Sequence, residues 1–193
     1  MHSESIKYKQ LCLTGRELFW KHGVKRISVK EICHTANVSK MTFYKYFSNK
    51  TAFAKAILND ELNSAEKKFS DLVHANIPFS KKIEKLFLLK IESTNNISQE
   101  FIEDIYSNPQ SELFEHMQKK SNEMQKKIEN FYRKAQQDGN IRKDINIQFI
   151  LSFSSHIGKL IMNKELMSNY DSPQNFIIES MNLLFHGILT NDE

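Results

Sequence analysis

Lys40, Met41, Thr42, Tyr44 and Lys45 place two ammonium groups, a hydroxyl, a phenol and a flexible thioether within one short stretch. None of these is a nucleophile with a base at hand. What they do well is donate hydrogen bonds to phosphate oxygens and base edges, and pack against bases. Phe43 and Phe47 stand four apart, the spacing that puts both on one side of a helix. Burying that side leaves the cationic, hydroxylated and aromatic positions outward or at its edge. Such a helix fits the major groove of DNA.

The flanking residues supply the elements that must hold this helix. Ser28 opens a short helix, and Glu31 three residues later completes a capping-box pattern. Ile32 and Cys33 give that helix an apolar anchor and a small neighbour. Asn37 interrupts it, because Asn tolerates the left-handed conformation of a sharp turn. Val38 fills the space after the turn, Ser39 caps the next helix, and Ser48 or Asn49 caps the one after. Lys50 stands at that helix's start. Upstream, a helix from about Ser5 to His22 buries Leu11, Gly15, Leu18 and Phe19, and Gly23 ends it. The pattern is a helix-turn-helix over about 28–47.

Charge follows the same division. Residues 1–55 carry 11 Lys/Arg against 3 Asp/Glu, and residues 56–193 carry 16 against 20. A basic head on a mildly acidic body suggests that the head meets a polyanion. The 193 residues are 40% apolar, enough for a core, and no apolar run approaches the ~20 residues of a membrane span. The amino end lacks the layout of a secretory signal. Two cysteines, Cys12 and Cys33, exclude a disulfide framework and predict a cytoplasmic setting. A redox switch between them is conceivable, but buried Cys as a small apolar filler is the better reading.

With five glycines and three prolines, nearly every segment repeats apolar residues at helical spacing, so the chain reads as all-α with about nine helices. Further helices are expected over about 49–74, 80–93, 99–106, from Pro109 to about 138 with Gly139 as the stop, and over 146–163 and 173–189.

The run Gly15-Arg-Glu-Leu18-Phe19, then Gly23, Ser28-Val29, Ile32, Ala36-Asn37-Val38-Ser39, Thr42-Phe43-Tyr44, Phe47 and Lys50 resembles the N-terminal domain of TetR-family repressors over about the first 60 residues. Asn37 replaces the usual turn glycine, and Tyr46 stands where the family often has His. The resemblance implies a DNA-binding domain over 4–64 and a helical effector-binding and dimerisation domain over 65–193. It implies a homodimer on a pseudo-palindromic double-stranded operator, repressing transcription in response to a small molecule. It carries phosphate contacts to Tyr44, Lys50 and Ser28, and groove reading to Lys30, Lys40, Met41, Thr42 and Lys45. Ser39 and Tyr46 complete the expected DNA-contacting set.

The resemblance also implies an effector pocket. Phe87, Phe101, Ile105, Tyr106, Phe114, Met117, Met124, Phe131 and Tyr132 are available to line it, though any one of them is equally at home in an ordinary core. Such a lining suits an apolar or lipophilic cationic ligand. The last two helices offer a dimer surface through Leu151, Ser155, Gly158, Ile161, Ile177, Met181, Leu184 and Ile188, with a four-helix bundle as the joint. His116, His156 and His186 lack partners at ligand spacing, so no metal is expected. No catalytic motif or cofactor site is expected either. The alternatives are a helical adaptor acting through protein partners and an all-helical enzyme built from distant residues.

Overall fold

The computed structural model describes residues 6–92, 97–160 and 163–188. Among them are ten helices: α1 (Ile6–His22), α2 (Val29–Thr35), α3 (Lys40–Tyr46), α4 (Lys50–His74), α5 (Phe79–Glu92), α6 (Gln99–Tyr106), α7 (Glu112–Gln137), α8 (Ile147–Leu160), α9 (Lys164–Met167) and α10 (Pro173–Ile188). The fold is all-α, and no described helix is long and apolar enough to cross a membrane. The chain divides into two compact units, one of residues 1–64 and 94–122, the other of 65–93 and 123–193.

The first unit holds α1 to α3, the leading part of α4, α6 and the start of α7. Its centre is aromatic. The Phe53 ring lies 5.7 Å from Phe19, 5.1 Å from Phe43 and 4.7 Å from Phe47 between centroids, and all four are buried. Gly15 lets α1 approach this hub: a Cβ there would lie 2.3 Å from Phe53 Cζ and 2.8 Å from Ile57 Cδ1. α6 packs on α1 through Phe101, whose ring is 4.5 Å from Trp20. The Ser98 amide donates to the Trp20 carbonyl at 2.8 Å, so the entry to α6 satisfies an orphan acceptor at the end of α1. Gly23 ends α1 at φ 79°, with its amide donating to Phe19 O at 2.9 Å.

The second unit closes around Ile83 and Phe87 of α5, Tyr132 of α7, Ile150 and Ile157 of α8, and Phe176, Ile177 and Leu184 of α10. Phe69 of α4 and Phe79 of α5 both set their rings against Phe131. Gly139, at φ 83°, follows α7.

Two helix boundaries differ from the sequence reading. α7 begins at Glu112, because Asn108–Ser111 forms a turn, with Ser111 N on Asn108 O at 3.0 Å. Ser111 Oγ then accepts from Phe114 N at 3.1 Å and caps the helix. The expected 146–163 helix is described over Ile147–Leu160, and a separate single turn, α9, follows it, capped by Asn163 Oδ1 accepting from Leu166 N at 3.1 Å. One turn is too short to show a stripe in the sequence.

Candidate nucleic-acid interface

Ser28, extended at φ −95° and ψ 154°, accepts from Glu31 N through its hydroxyl at 3.1 Å and so starts α2. Asn37 is the one described non-glycine residue with positive φ, 51°. Around it the Ala36 amide donates to Ile32 O at 2.9 Å and the Val38 amide to Cys33 O at 2.9 Å. These bonds close the turn and aim α3 away from α2. Ser39 Oγ accepts from Thr42 N at 3.1 Å and shares a hydrogen bond of 2.9 Å with Thr42 Oγ1.

α3 is seated by Phe43, fully buried, and Phe47, 5% exposed. Lys30, Lys40, Met41, Tyr44 and Lys45 are exposed, with Met41 at 83% and Tyr44 at 55%. The Tyr44 ring stands edge-on to Phe43 at 5.4 Å, which fixes its plane while its phenol stays at the surface. Ser28 and Ser39 are exposed, but their hydroxyls are engaged as caps; Thr42 is half-buried.

Two expected contact residues are spent elsewhere. The Lys50 ammonium donates to the carbonyls of Val24 at 2.8 Å, Lys25 at 3.0 Å and Ile27 at 2.9 Å. An ammonium has three donors, so Lys50 is a clamp on the α1–α2 loop. Burial lowers its pKa from the ordinary lysine value, and the charge of Asp104 opposes that shift. The half-buried Tyr46 ring packs edge-on against Tyr8 of α1 at 5.6 Å.

Asp104 of α6 is a residue the sequence reading did not single out. Its carboxylate accepts from the Lys25 amide at 2.7 Å and lies 3.4 Å from the Lys25 ammonium. Lys50 thus holds the carbonyls of the loop before Ser28, and Asp104 holds an amide of the same loop. A separation of 79 positions hid this pairing.

The nine expected pocket residues divide between the two units, and six of them pack in a core. Phe101, Ile105 and Met117 pack in the first unit's core, and the Phe114 ring stands 6.2 Å from the exposed Tyr106. Phe87, Phe131 and Tyr132 pack in the second unit's core, and Met124 is half-buried in that unit. Of the expected dimer residues, Ile177 (0% exposed) and Leu184 (8%) are buried inside the second unit, so they are not available to a partner. Leu151 is half-buried and Ser155 exposed; the surroundings of Gly158, the side chains of Met181 and Ile188, and residue Ile161 lie outside the described set. Among the described residues of α8 and α10, the large apolar side chains that face outward are Phe149, Phe153 and Leu160 of α8 and Ile178 and Leu183 of α10. The rings of Phe149 and Phe153 stack at 5.9 Å.

Cys12 is half-buried and Cys33 buried, both as free thiols. Burial raises both pKa values, that of Cys12 to about 11. Among the described residues no three His, Cys, Asp or Glu side chains converge as a metal-ligand set.

Residues 13–57 match the family model described as bacterial regulatory proteins, tetR family. The HTH-type transcriptional repressor NemR of Escherichia coli K12 is 30% identical over 74 residues, covering 38% of this chain and 37% of that protein. The matched part is thus little more than a third of the curated relative's length. A structure of E. coli NemR in its reduced form is similar over 98% of this chain and 100% of that one, at TM-score 0.75 and 16% identity. FadR from Bacillus subtilis, solved in complex with stearoyl-CoA, is similar over 94% and 99%, at TM-score 0.71 and 16% identity. At that identity the likeness concerns the fold.

Proposed function

We propose that this chain, which belongs to the TetR family of bacterial regulatory proteins, regulates transcription by laying α3 in the major groove of an operator. The observation that carries the reading is the outer surface of α3. Lys40, Met41, Tyr44 and Lys45 are exposed on a helix whose other side is locked into an aromatic hub. A rigid seat lets cations and aromatic groups meet phosphates and bases without first being ordered, which keeps the entropic cost of binding low.

The working form is a homodimer. The apolar side chains left outward on α8 and α10 have the character of an interface core, and two copies joined there read a pseudo-palindrome. Residues 4–64 form the DNA-binding module and 65–193 the effector and dimer module, with α6 contributing to the head's packing. The relative NemR is a repressor, which supports a repressor that an apolar small molecule releases in the cytoplasm. A similar structure holding stearoyl-CoA supports an acyl-type or otherwise lipophilic effector. Effector and operator then weaken each other's binding by the same factor.

Titrating labelled duplex with the full chain at increasing salt tests the groove reading. Neutralising roughly 6–10 phosphates lowers affinity by ~10³–10⁵ between 50 and 200 mM salt. A flat response removes it.

A further inference from the structure

We propose that Met41 sets operator specificity by packing against the C5-methyl group of a thymine. This rests on the groove-binding reading above and adds a base identity to it.

At about 100° per residue, Phe43 and Phe47 place the core on one side of α3, and Met41 and Lys45, four apart, come to the side away from it. That is the side a recognition helix turns toward the floor of the groove. Met41 is 83% exposed, more than any other large apolar side chain among the described residues. It stands between Lys40 and Thr42, with Lys45 one turn further on. An apolar side chain kept in water at the centre of a cationic surface gains free energy when something apolar covers it.

The neighbouring groups narrow what that cover is. The two lysines favour a polyanion, so the occupant is nucleic acid. Thr42 is half-buried and its hydroxyl is engaged with Ser39 Oγ at 2.9 Å, so it competes little for a base edge. Lys40 and Lys45 suit phosphate oxygens or the O6 and N7 acceptors of guanine. In the major groove the one apolar feature that distinguishes a base pair is the thymine C5-methyl. Methionine, unbranched and rotatable about three bonds, can reach it from a range of helix positions.

Sites are first selected from random-sequence duplexes with the full chain. Each thymine of the selected site is then replaced by deoxyuridine, which removes the methyl and nothing else. Affinities are measured by fluorescence anisotropy for the native chain, Met41→Ala and Met41→Leu. The expected result is a loss of about fourfold per half-site at one thymine position, the worth of one buried methyl-sized group. The loss persists in Met41→Leu and vanishes in Met41→Ala. The inference is overturned if no uracil replacement weakens the native chain, or if Met41→Ala keeps the full preference for thymine. In either case the native chain still binds its selected site and groove reading stands. Failure to select or bind any duplex removes groove reading and this inference together. Met41 is exposed, so an unchanged circular dichroism melt separates a specificity effect from a folding defect.

Discussion

Lys50 Nζ lies 2.8 Å from the carbonyl oxygen of Val24, and this contact joins the first turn of α4 to the loop that leads into α2. The same ammonium reaches Lys25 O and Ile27 O. The loop it organises ends at Ser28, the cap of α2. Lys50→Met keeps the aliphatic stem and leaves three carbonyls without their donor. The expected cost is ~1–3 kcal/mol of stability in the absence of DNA, read from the denaturant midpoint. Unchanged stability with reduced DNA affinity would assign Lys50 to phosphate contact instead.

Asp104 makes the complementary hold on the same loop from α6. Asp104→Asn keeps the shape and an acceptor but removes the charge opposite Lys25. DNA affinity is expected to fall several-fold, with a small change in unfolding because the ion pair is partly exposed. Equal affinity for the native chain and the variant would show that the loop needs no help from α6.

At Gly15, α1 comes close to the side chains of α4. The Phe53 ring that a new Cβ would strike is wedged among Phe19, Phe43 and Phe47 and cannot swing away. Gly15→Ala is expected to cost ~1–3 kcal/mol by overpacking, although alanine is the better helix former. A thermal melt above that of the native chain would refute the close approach.

The outward apolar side chains of α8 and α10 predict the behaviour of the assembly. Phe153→Asp and Leu183→Glu each place a charge on the proposed joint, and each variant is expected to sediment as a monomer and to lose operator affinity. Native-like dimers in both variants would move the interface elsewhere.

Burial raises the Cys12 thiol to about 11 and the Tyr8 phenol to about 12, each also touched by the other. The fold thus favours the protonated forms over their ordinary values. The stability tied to these groups is complete below about pH 9, the ordinary thiol value, and is lost as pH rises through about 11 to 12. Native Cys12 is expected to resist iodoacetamide at neutral pH and to react as the pH approaches its raised pKa. Rapid alkylation at pH 7 would contradict this and revive a redox role for the thiol.

The head was legible because its signals are local. Ser28, Asn37 and Ser39 act through bonds to residues a few positions away, and Phe43 and Phe47 declare the inner side of α3 by spacing alone. Lys50 shows the limit: its position in the motif was readable, but its commitment to the Val24–Ile27 loop depends on a tertiary approach. Asp104 lay beyond reach for the same reason. In α10 the difficulty was different. Phe176, Ile177, Ile178, Leu183 and Leu184 cover more than one side of the helix, so periodicity could not choose which side turns inward. The stripe chosen from sequence contained Ile177 and Leu184, which the core takes, while Ile178 and Leu183 face out.

Dimethyl sulfate footprinting of the full chain on a selected duplex tests the central claim most directly, because guanine N7 is accessible only from the major groove. The account predicts two blocks of guanine N7 protection, centred one helical turn of about 10 base pairs apart or a multiple of it, and their loss in Lys45→Ala. Protection confined to the minor-groove N3 of adenine, or no protection on a duplex that the chain retains, would contradict it.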